Sequence, residues 1–186
     1  MSAPINAEDA LTFCRVLFAA EPTEFRLIHP RKSGIRHLWG ALENESDLAP
    51  LARLNAEGWG VFAVINRCAS TVEARCAEGK GARDEDITGV RAVFVDLDEA
   101  APAENRRKLE ASPLPPSLVV CSSPGKLHAY WLVADCPVSE FSGVQKALAE
   151  RFGSDPSICN PSRIMRVPGF WHTKAEPVLS RLLGPL

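Results

Sequence analysis

The segment that most constrains this chain is V-R-A-V-F-V-D-L-D-E, residues 90–99. Its apolar positions are filled by β-branched and aromatic residues, and it is too short for a buried helix, so it reads as a strand. Side chains alternate across a strand, which puts Asp96 and Asp98 on the same face as Phe94. A run this apolar needs cover on both faces. The chain must therefore build a layered sheet in which one strand carries two carboxylates at its C-terminal end. Like charges so close repel unless a cation lies between them, and hard divalent ions prefer oxygen ligands. The pair is either a seat for Mg²⁺ or Mn²⁺ or a strand end running into an acidic, solvated loop, and its spacing alone does not choose.

The rest of the chain supplies the layers. Asn6 caps a helix that runs to about Ala20, with Glu8 and Asp9 in its first turn and Leu11, Cys14, Leu17 and Phe18 at helical spacing. Phe25–His29 and Ile35–Trp39 alternate as a hairpin around the Pro30–Gly34 turn. A helix over Ser46–Glu57 stops at Gly58, and Trp59–Asn66 follows as a buried strand. Arg67–Gly89, with its glycines and alternating charges, reads as a mobile loop holding a short helical piece. Beyond the Arg91–Leu97 strand come a helix over Pro102–Ala111, strands at Leu118–Cys121 and Leu127–Val133, a helix from Ser139 to Phe152 capped by Gly153, and a strand at Arg163–Val167. Two implied hairpins favour a mixed α/β sheet covered by helices, in the α+β class, over a doubly wound parallel one.

Charge and cysteine usage narrow the partners. The formal net charge is -2, so a polyanion has to be met locally. From residue 151 onward Arg151, Arg163, Arg166, Lys174 and Arg181 outnumber Asp155 and Glu176, which makes the C-terminal stretch basic. The six cysteines (Cys14, Cys68, Cys76, Cys121, Cys136 and Cys159) form no CxxC pair and have no zinc-ligand spacing, and read as reduced thiols. A first segment bearing Glu8 and Asp9, with no long apolar stretch anywhere, predicts a cytoplasmic protein with no membrane partner.

Further motifs lie in the second half. S-S-P-G-K at 122–126 is a small-residue turn whose amides and Lys126 suit an anion. His128 shares a strand face with Tyr130, where it either reaches a phosphate or is simply a half-buried histidine bonded to backbone. Asp155, in F-G-S-D-P-S, has the setting of an ordinary turn aspartate. In R-I-M-R-V-P-G-F-W-H-T-K, Arg163, Arg166, His172 and Lys174 lie beside Phe170 and Trp171, offering forked donors for phosphate and a stacking face for a base.

Taken in order, V-D-L-D, K-L-H-A-Y-W, F-G-S-D-P-S and R-I-M-R-V-P-G-F-W-H-T-K resemble the archaeo-eukaryotic primase superfamily, in particular its RepB-type plasmid and phage replication primases. The resemblance spans roughly residues 59–174. It implies an RRM-like catalytic sheet (residues 90–186) beside an N-terminal α/β lobe (residues 1–89), within one primase-polymerase domain that is a candidate fragment of a longer replication protein. It implies metal-binding, catalytic acids at Asp96, Asp98 and Asp155, phosphate contact at His128, and a basic motif at Arg163, Arg166 and Lys174. With Lys126 these would share the charge of a nucleoside triphosphate. Lys126 stands where the superfamily often has serine, which leaves that role open or moves it to Ser122 or Ser123, and no role is carried over to His172.

The implied activity is template-dependent primer synthesis on single-stranded DNA from NTP or dNTP with Mg²⁺ or Mn²⁺, aided by a replicative helicase or a C-terminal helical domain. The three acids, with no basic partner among them, would repel until an ion binds. Three other readings stand beside it. A D-x-D glycosyltransferase leaves the arginine cluster unexplained. A rolling-circle nickase needs a His-hydrophobe-His pair that His128 does not make. A catalytically degenerate primase-like module would bind single-stranded DNA or an origin passively.

Overall fold

The computed structural model describes residues 4–98 and 101–184. Helix α1 (Ala7–Phe18) begins where the Asn6 side chain accepts a hydrogen bond from the Asp9 amide at 3.1 Å. Its buried face carries Ala10, Phe13, Cys14, Leu17 and Phe18. Strands β1 (Thr23–Ile28) and β2 (Ile35–Gly40) form the expected hairpin. Helix α2 (Glu45–Ala56) starts from a reciprocal cap in which Asn44 and Asp47 bond each other's backbone. Strand β3 (Gly60–Val64) returns alongside β1.

Residues 67–89 correct the expectation of a loop. They form β4 (Arg67–Cys68), α3 (Thr71–Ala77), a 3-10 turn at Asp84–Asp86 and β5 (Ile87–Gly89), which pairs back on β4. The apolar residues here are too sparse among charges to show a period, yet Val64, Cys68, Val72, Cys76, Ala82 and Ile87 bury together as a small core of their own. Polar ties close the segment. Glu24, fully buried on β1, accepts the Ala82 amide at 2.5 Å, and Arg75 donates to the Gly81 carbonyl at 3.0 Å.

The second half contributes β6 (Ala92–Leu97), α4 (Pro102–Glu110), β7 (Leu118–Ser123), β8 (Lys126–Leu132), α5 (Val138–Phe152) and β9 (Ile164–Arg166). Strands β10 (Trp171–His172), β11 (Val178–Leu179) and β12 (Arg181–Gly184) were not foreseen, being too short to show alternation.

Two four-stranded sheets result, ordered β2-β1-β3-β9 and β12-β7-β8-β6. The class is α+β, and among the described residues every strand pairing is antiparallel instead of mixed in direction. The sheets do not divide at residue 89. Strand β9 joins the first sheet, pairing Phe62 with Arg166, while α1 lies against the second through an edge-on contact between Phe13 and Tyr130 with centroids 5.6 Å apart. Residues 1–3, 99–100 and 185–186 of the expected lobes lie outside the described residues.

One core runs through both sheets, from Phe25, Val61 and Ala63 to Phe94, Val120 and Tyr130, with Phe13, Leu17 and Phe18 of α1 between. The far face of the second sheet buries Val95, Leu97, Val119 and Ala129 against Leu109 of α4 and Phe152 of α5. Gly169 is the tightest point. Its φ of +84° is left-handed, and a Cβ there would collide with the Asn6 carbonyl, so only glycine lets the chain turn against the start of α1.

Candidate active site

The paired strands β6 and β8 place Asp96 directly opposite His128, and β7 places Val120 beside His128. Alternation sends these side chains to the face that also holds Phe94 and Tyr130, toward the first sheet. The apolar half of that face is core. Its polar end, Asp96 with His128, opens where β9 brings up Arg166.

Asp96 is the unusual group. Its Oδ1 is buried and accepts no hydrogen bond, and the nearest cation-forming group is His128 Nε2 at 3.6 Å. Burial first, and then the charges of Asp98 and Asp155, push its carboxyl up to about 6. His128 is driven the other way, down to about 3, by complete burial and by the nearby Arg166. Burial thus favours the neutral imidazole, which can donate a hydrogen bond to phosphate without adding charge. Arg166 rests its guanidinium 4.5 Å over the Phe62 ring, and burial lowers it to about 10 while Asp96 opposes that shift. Gly60 makes room for it, since a Cβ there would lie 3.1 Å from an Arg166 guanidinium nitrogen.

The other two acids are differently placed. Asp98, at the end of β6, is ion-paired with Lys126 at 3.0 Å, which corrects the expectation of acids without a basic partner. The hairpin register explains it: Ser123 pairs with Lys126 at the turn, beside the end of β6. Asp155 follows the left-handed Gly153 cap of α5 and accepts from the Ser157 amide at 2.8 Å and its hydroxyl at 2.7 Å, bonds that hold its carboxyl below the usual range. Among the described residues no three His, Cys, Asp or Glu side chains stand close enough to hold one ion.

The donor set nonetheless suits a hard divalent cation. A buried carboxylate oxygen without a hydrogen bond, raised by two neighbouring acids, is what a cation would relieve.

The loop bearing Asp155 and Arg163 is pinned from three sides. Gln145 of α5 bonds both the Phe94 amide (2.9 Å) and its carbonyl (3.1 Å), capping the free edge of β6, and donates to the Ile158 carbonyl at 2.9 Å. Asn66 donates to the Pro161 carbonyl at 3.0 Å, and Asp84 accepts from the Ser162 amide and hydroxyl at 3.0 and 2.6 Å. Arg163 donates to the Ser157 carbonyl at 2.6 Å, leaving its buried Nε without a partner.

A cleft of about 550 Å³ opens beside this centre, lined by Arg31, Gly60, Phe62, Arg166, His172 and Lys174. Sequence reasoning missed Arg31, which it took for turn chemistry, and named His172 among the groups that can face phosphate while the resemblance carried no role to it. The buried, unpartnered Nε2 of His172 marks it as a cleft residue. An adjoining cleft of about 600 Å³ shares Pro30, Arg31 and Thr173; the three acids line neither cleft, and Arg166 is what ties the first one to them.

The family description "RepB DNA-primase N-terminal domain" matches residues 51–183. The chain belongs to this family. Its fold agrees with solved relatives of this RepB-type primase domain. The primase-polymerase (PrimPol) AEP domain of cyanophage S-2L superposes with a TM-score of 0.75 at 23% identity, over 98% of this chain and 91% of that one. The catalytic domain of primase RepB′ in complex with initiator DNA gives 0.68 at 19%, over 96% and 84%. A longer RepB′ structure gives 0.66 at 19%, and there the match covers 95% of this chain but 54% of the other. Comparison with curated proteins found no match. Among the described residues no helix is long and apolar enough to cross a membrane, and all six cysteines are free.

Proposed function

We propose that this RepB-type primase domain catalyses DNA-templated nucleotidyl transfer, making a primer on single-stranded DNA from nucleoside triphosphates. The observation that carries the reading is the buried, unpartnered Oδ1 of Asp96 beside a neutral His128, next to an Arg166 that itself lines a cleft large enough for a nucleotide. Asp96 and Asp98, with Asp155 on the pinned loop, would hold Mg²⁺ or Mn²⁺. What a pair of such ions supplies when bound is Lewis acidity toward the primer 3′-hydroxyl and neutralisation of charge at the triphosphate.

The chain's own residues do the rest. Arg166, desolvated and held in place by Phe62, presents forked donors to phosphate oxygens where the low dielectric strengthens them. Lys174 and Arg31 line the same cleft, so a triphosphate there would meet further positive charge. His128 adds a donor without adding charge. An ion held by Asp98 would compete with Lys126 for that carboxylate and leave the ammonium available to phosphate, and Arg163 keeps a buried Nε without a partner. This confines the positive groups to the transition state, and a chain of net charge -2 then binds template weakly by itself. RepB′ solved with initiator DNA supports DNA as the template class.

Incubation with a single-stranded template, labelled NTPs or dNTPs and Mn²⁺ tests the reading. Template-dependent products that vanish with Asp96→Asn support it. Template binding without incorporation under every nucleotide and metal condition would instead make the chain a passive DNA-binding module.

A further inference from the structure

Tyr130 is the only tyrosine, and it is fully buried. Its ring is fixed on two sides, edge-on to Phe13 at 5.6 Å and tilted against Phe94 at 6.0 Å. Core packing alone would be served as well by phenylalanine, and a buried hydroxyl is retained at a cost unless it finds a partner. The partner here is Nδ1 of His128, at 3.4 Å, on the same strand face two residues away. The other ring nitrogen, Nε2, points to the polar end of the sheet, 3.6 Å from Asp96 Oδ1.

The direction of the Tyr130–His128 bond follows from donor strength. A phenol is a good donor and a poor acceptor, while the unprotonated nitrogen of a neutral imidazole is a good acceptor. If Tyr130 donates to Nδ1, the imidazole proton must sit on Nε2, on the side of the bare Asp96 oxygen. In the reverse arrangement the phenol proton has no acceptor, and an unprotonated Nε2 lone pair confronts Asp96. The first arrangement uses the phenol proton and turns Nε2–H toward the carboxylate oxygen; the second does neither.

We propose that Tyr130 is a positioning residue: its hydroxyl donates to His128 Nδ1, fixing the ring orientation and the Nε2–H tautomer, so that His128 presents a hydrogen-bond donor to the phosphates of the incoming nucleotide. The tautomer is inferred from the Tyr130–His128 contact and donor strength, independently of function, while its use rests on the nucleotidyl-transfer reading above. A neutral donor is what the location needs, because a second full charge beside Arg166 would have to be desolvated as well.

The experiment has two arms. In the first, nitrogen NMR of the histidine side chains, with His128 assigned by His128→Gln, reads the tautomer without requiring activity. Nε2 protonated and Nδ1 accepting in the wild type is expected, with the Nδ1 signal moving to that of a non-bonded nitrogen in Tyr130→Phe. Protonation on Nδ1 overturns the proposal, as does a spectrum unchanged by Tyr130→Phe. The phenyl ring keeps the contacts with Phe13 and Phe94, so the variant should fold, and its melting temperature reports whether it does.

In the second arm, Tyr130→Phe should raise KM for the nucleotide by about fivefold to tenfold, the scale of one hydrogen bond, with kcat far less affected. Glutamine has an amide nitrogen in place of Nε2 and no tautomers, so in a His128→Gln background Tyr130→Phe should have no further effect on KM. Additive losses would mean that Tyr130 acts through packing and not through His128. If the wild type neither binds nor incorporates a nucleotide, the functional reading fails while the tautomer still stands or falls by the first arm.

Discussion

Two carboxylates with buried oxygens in this molecule have opposite fates. Glu24, in the first sheet, is held by Arg26 at 2.6 Å, by His37 at 2.7 Å and by the Ala82 amide at 2.5 Å. These bonds outweigh burial and keep its carboxyl below the ordinary range. Asp96, in the second sheet, is half-buried, with one buried oxygen left bare and two acids as neighbours, and desolvation with those charges pushes its carboxyl up to about 6. A buried charge with every partner built in ties strands and loops together. A buried charge left wanting keeps a place for something the chain does not contain.

The sharpest way to break this contrast is through the acids of the second sheet. Asp96→Asn should lower nucleotide incorporation by on the order of a hundredfold or more while the fold survives. Primer extension at the wild-type rate would remove Asp96 from the chemistry. Asp155→Asn should also cost on the order of a hundredfold, since the asparagine oxygen can still accept from Ser157 but the charge near the ion is gone. Gel assays with Mg²⁺ and Mn²⁺ in parallel decide both.

Glu24→Gln should do the reverse, destabilising the protein by about 3 kcal/mol because it leaves Arg26 without its counter-charge in the packed segment around Ala82. Chemical denaturation measures this, and an unchanged midpoint would contradict the structural role. Mn²⁺ at a hundred times its dissociation constant should add about 2.7 kcal/mol to the wild type and nothing to an Asp96→Ala/Asp98→Ala double variant. A metal-induced shift that survives the double variant would place the ion elsewhere.

The smallest effect is one of sign. Glu24 has a lowered folded pKa, so its contribution is complete above the ordinary glutamate value of 4.5 and is lost as pH falls through the depressed one. For Asp96 the folded value is raised, so without metal the native carboxyl holds a proton that the unfolded chain releases. Its effect is a loss of stability as pH climbs from the ordinary 3.8 to about 6. In EDTA, the melting temperature of Asp96→Asn should gain on that of wild type across this window and then run parallel to it. A gap that does not change with pH would mean that Asp96 is not strained by its surroundings.

Much of this was legible in the sequence, for identifiable reasons. Asn6, Gly58 and Gly153 mark helix ends because capping and left-handed turns are local chemistry, and the structure has α1, α2 and α5 begin or stop there. Asp96 falls on one face with Phe94, and His128 with Tyr130, because strand alternation is local too, whereas the register that sets Asp96 opposite His128 is not. What the sequence hid depends on distant partners. Nothing near Asp84 announces that it will hold Ser162, and nothing near Lys126 announces Asp98. The compact fold of residues 67–89 stayed hidden because its apolar residues meet through three separate elements. Arg31 looked like turn punctuation until the end of β1 was seen to open onto the cleft.

The antiparallel addition of β9 to β3 has a consequence for the order in which the protein comes into being. The wall of the cleft that holds Arg166 is the last strand of a sheet whose other strands lie within residues 23–64. A ribosome that has released the first sheet's hairpin, and even the acids of β6, has not yet released the arginine that faces them. Such a chain waits with an unpaired edge at β3, the situation in which strands find wrong partners. Because Arg166 arrives with the strand that closes this edge, the edge and the phosphate wall are completed in one event, and a chain cut short before residue 164 has neither.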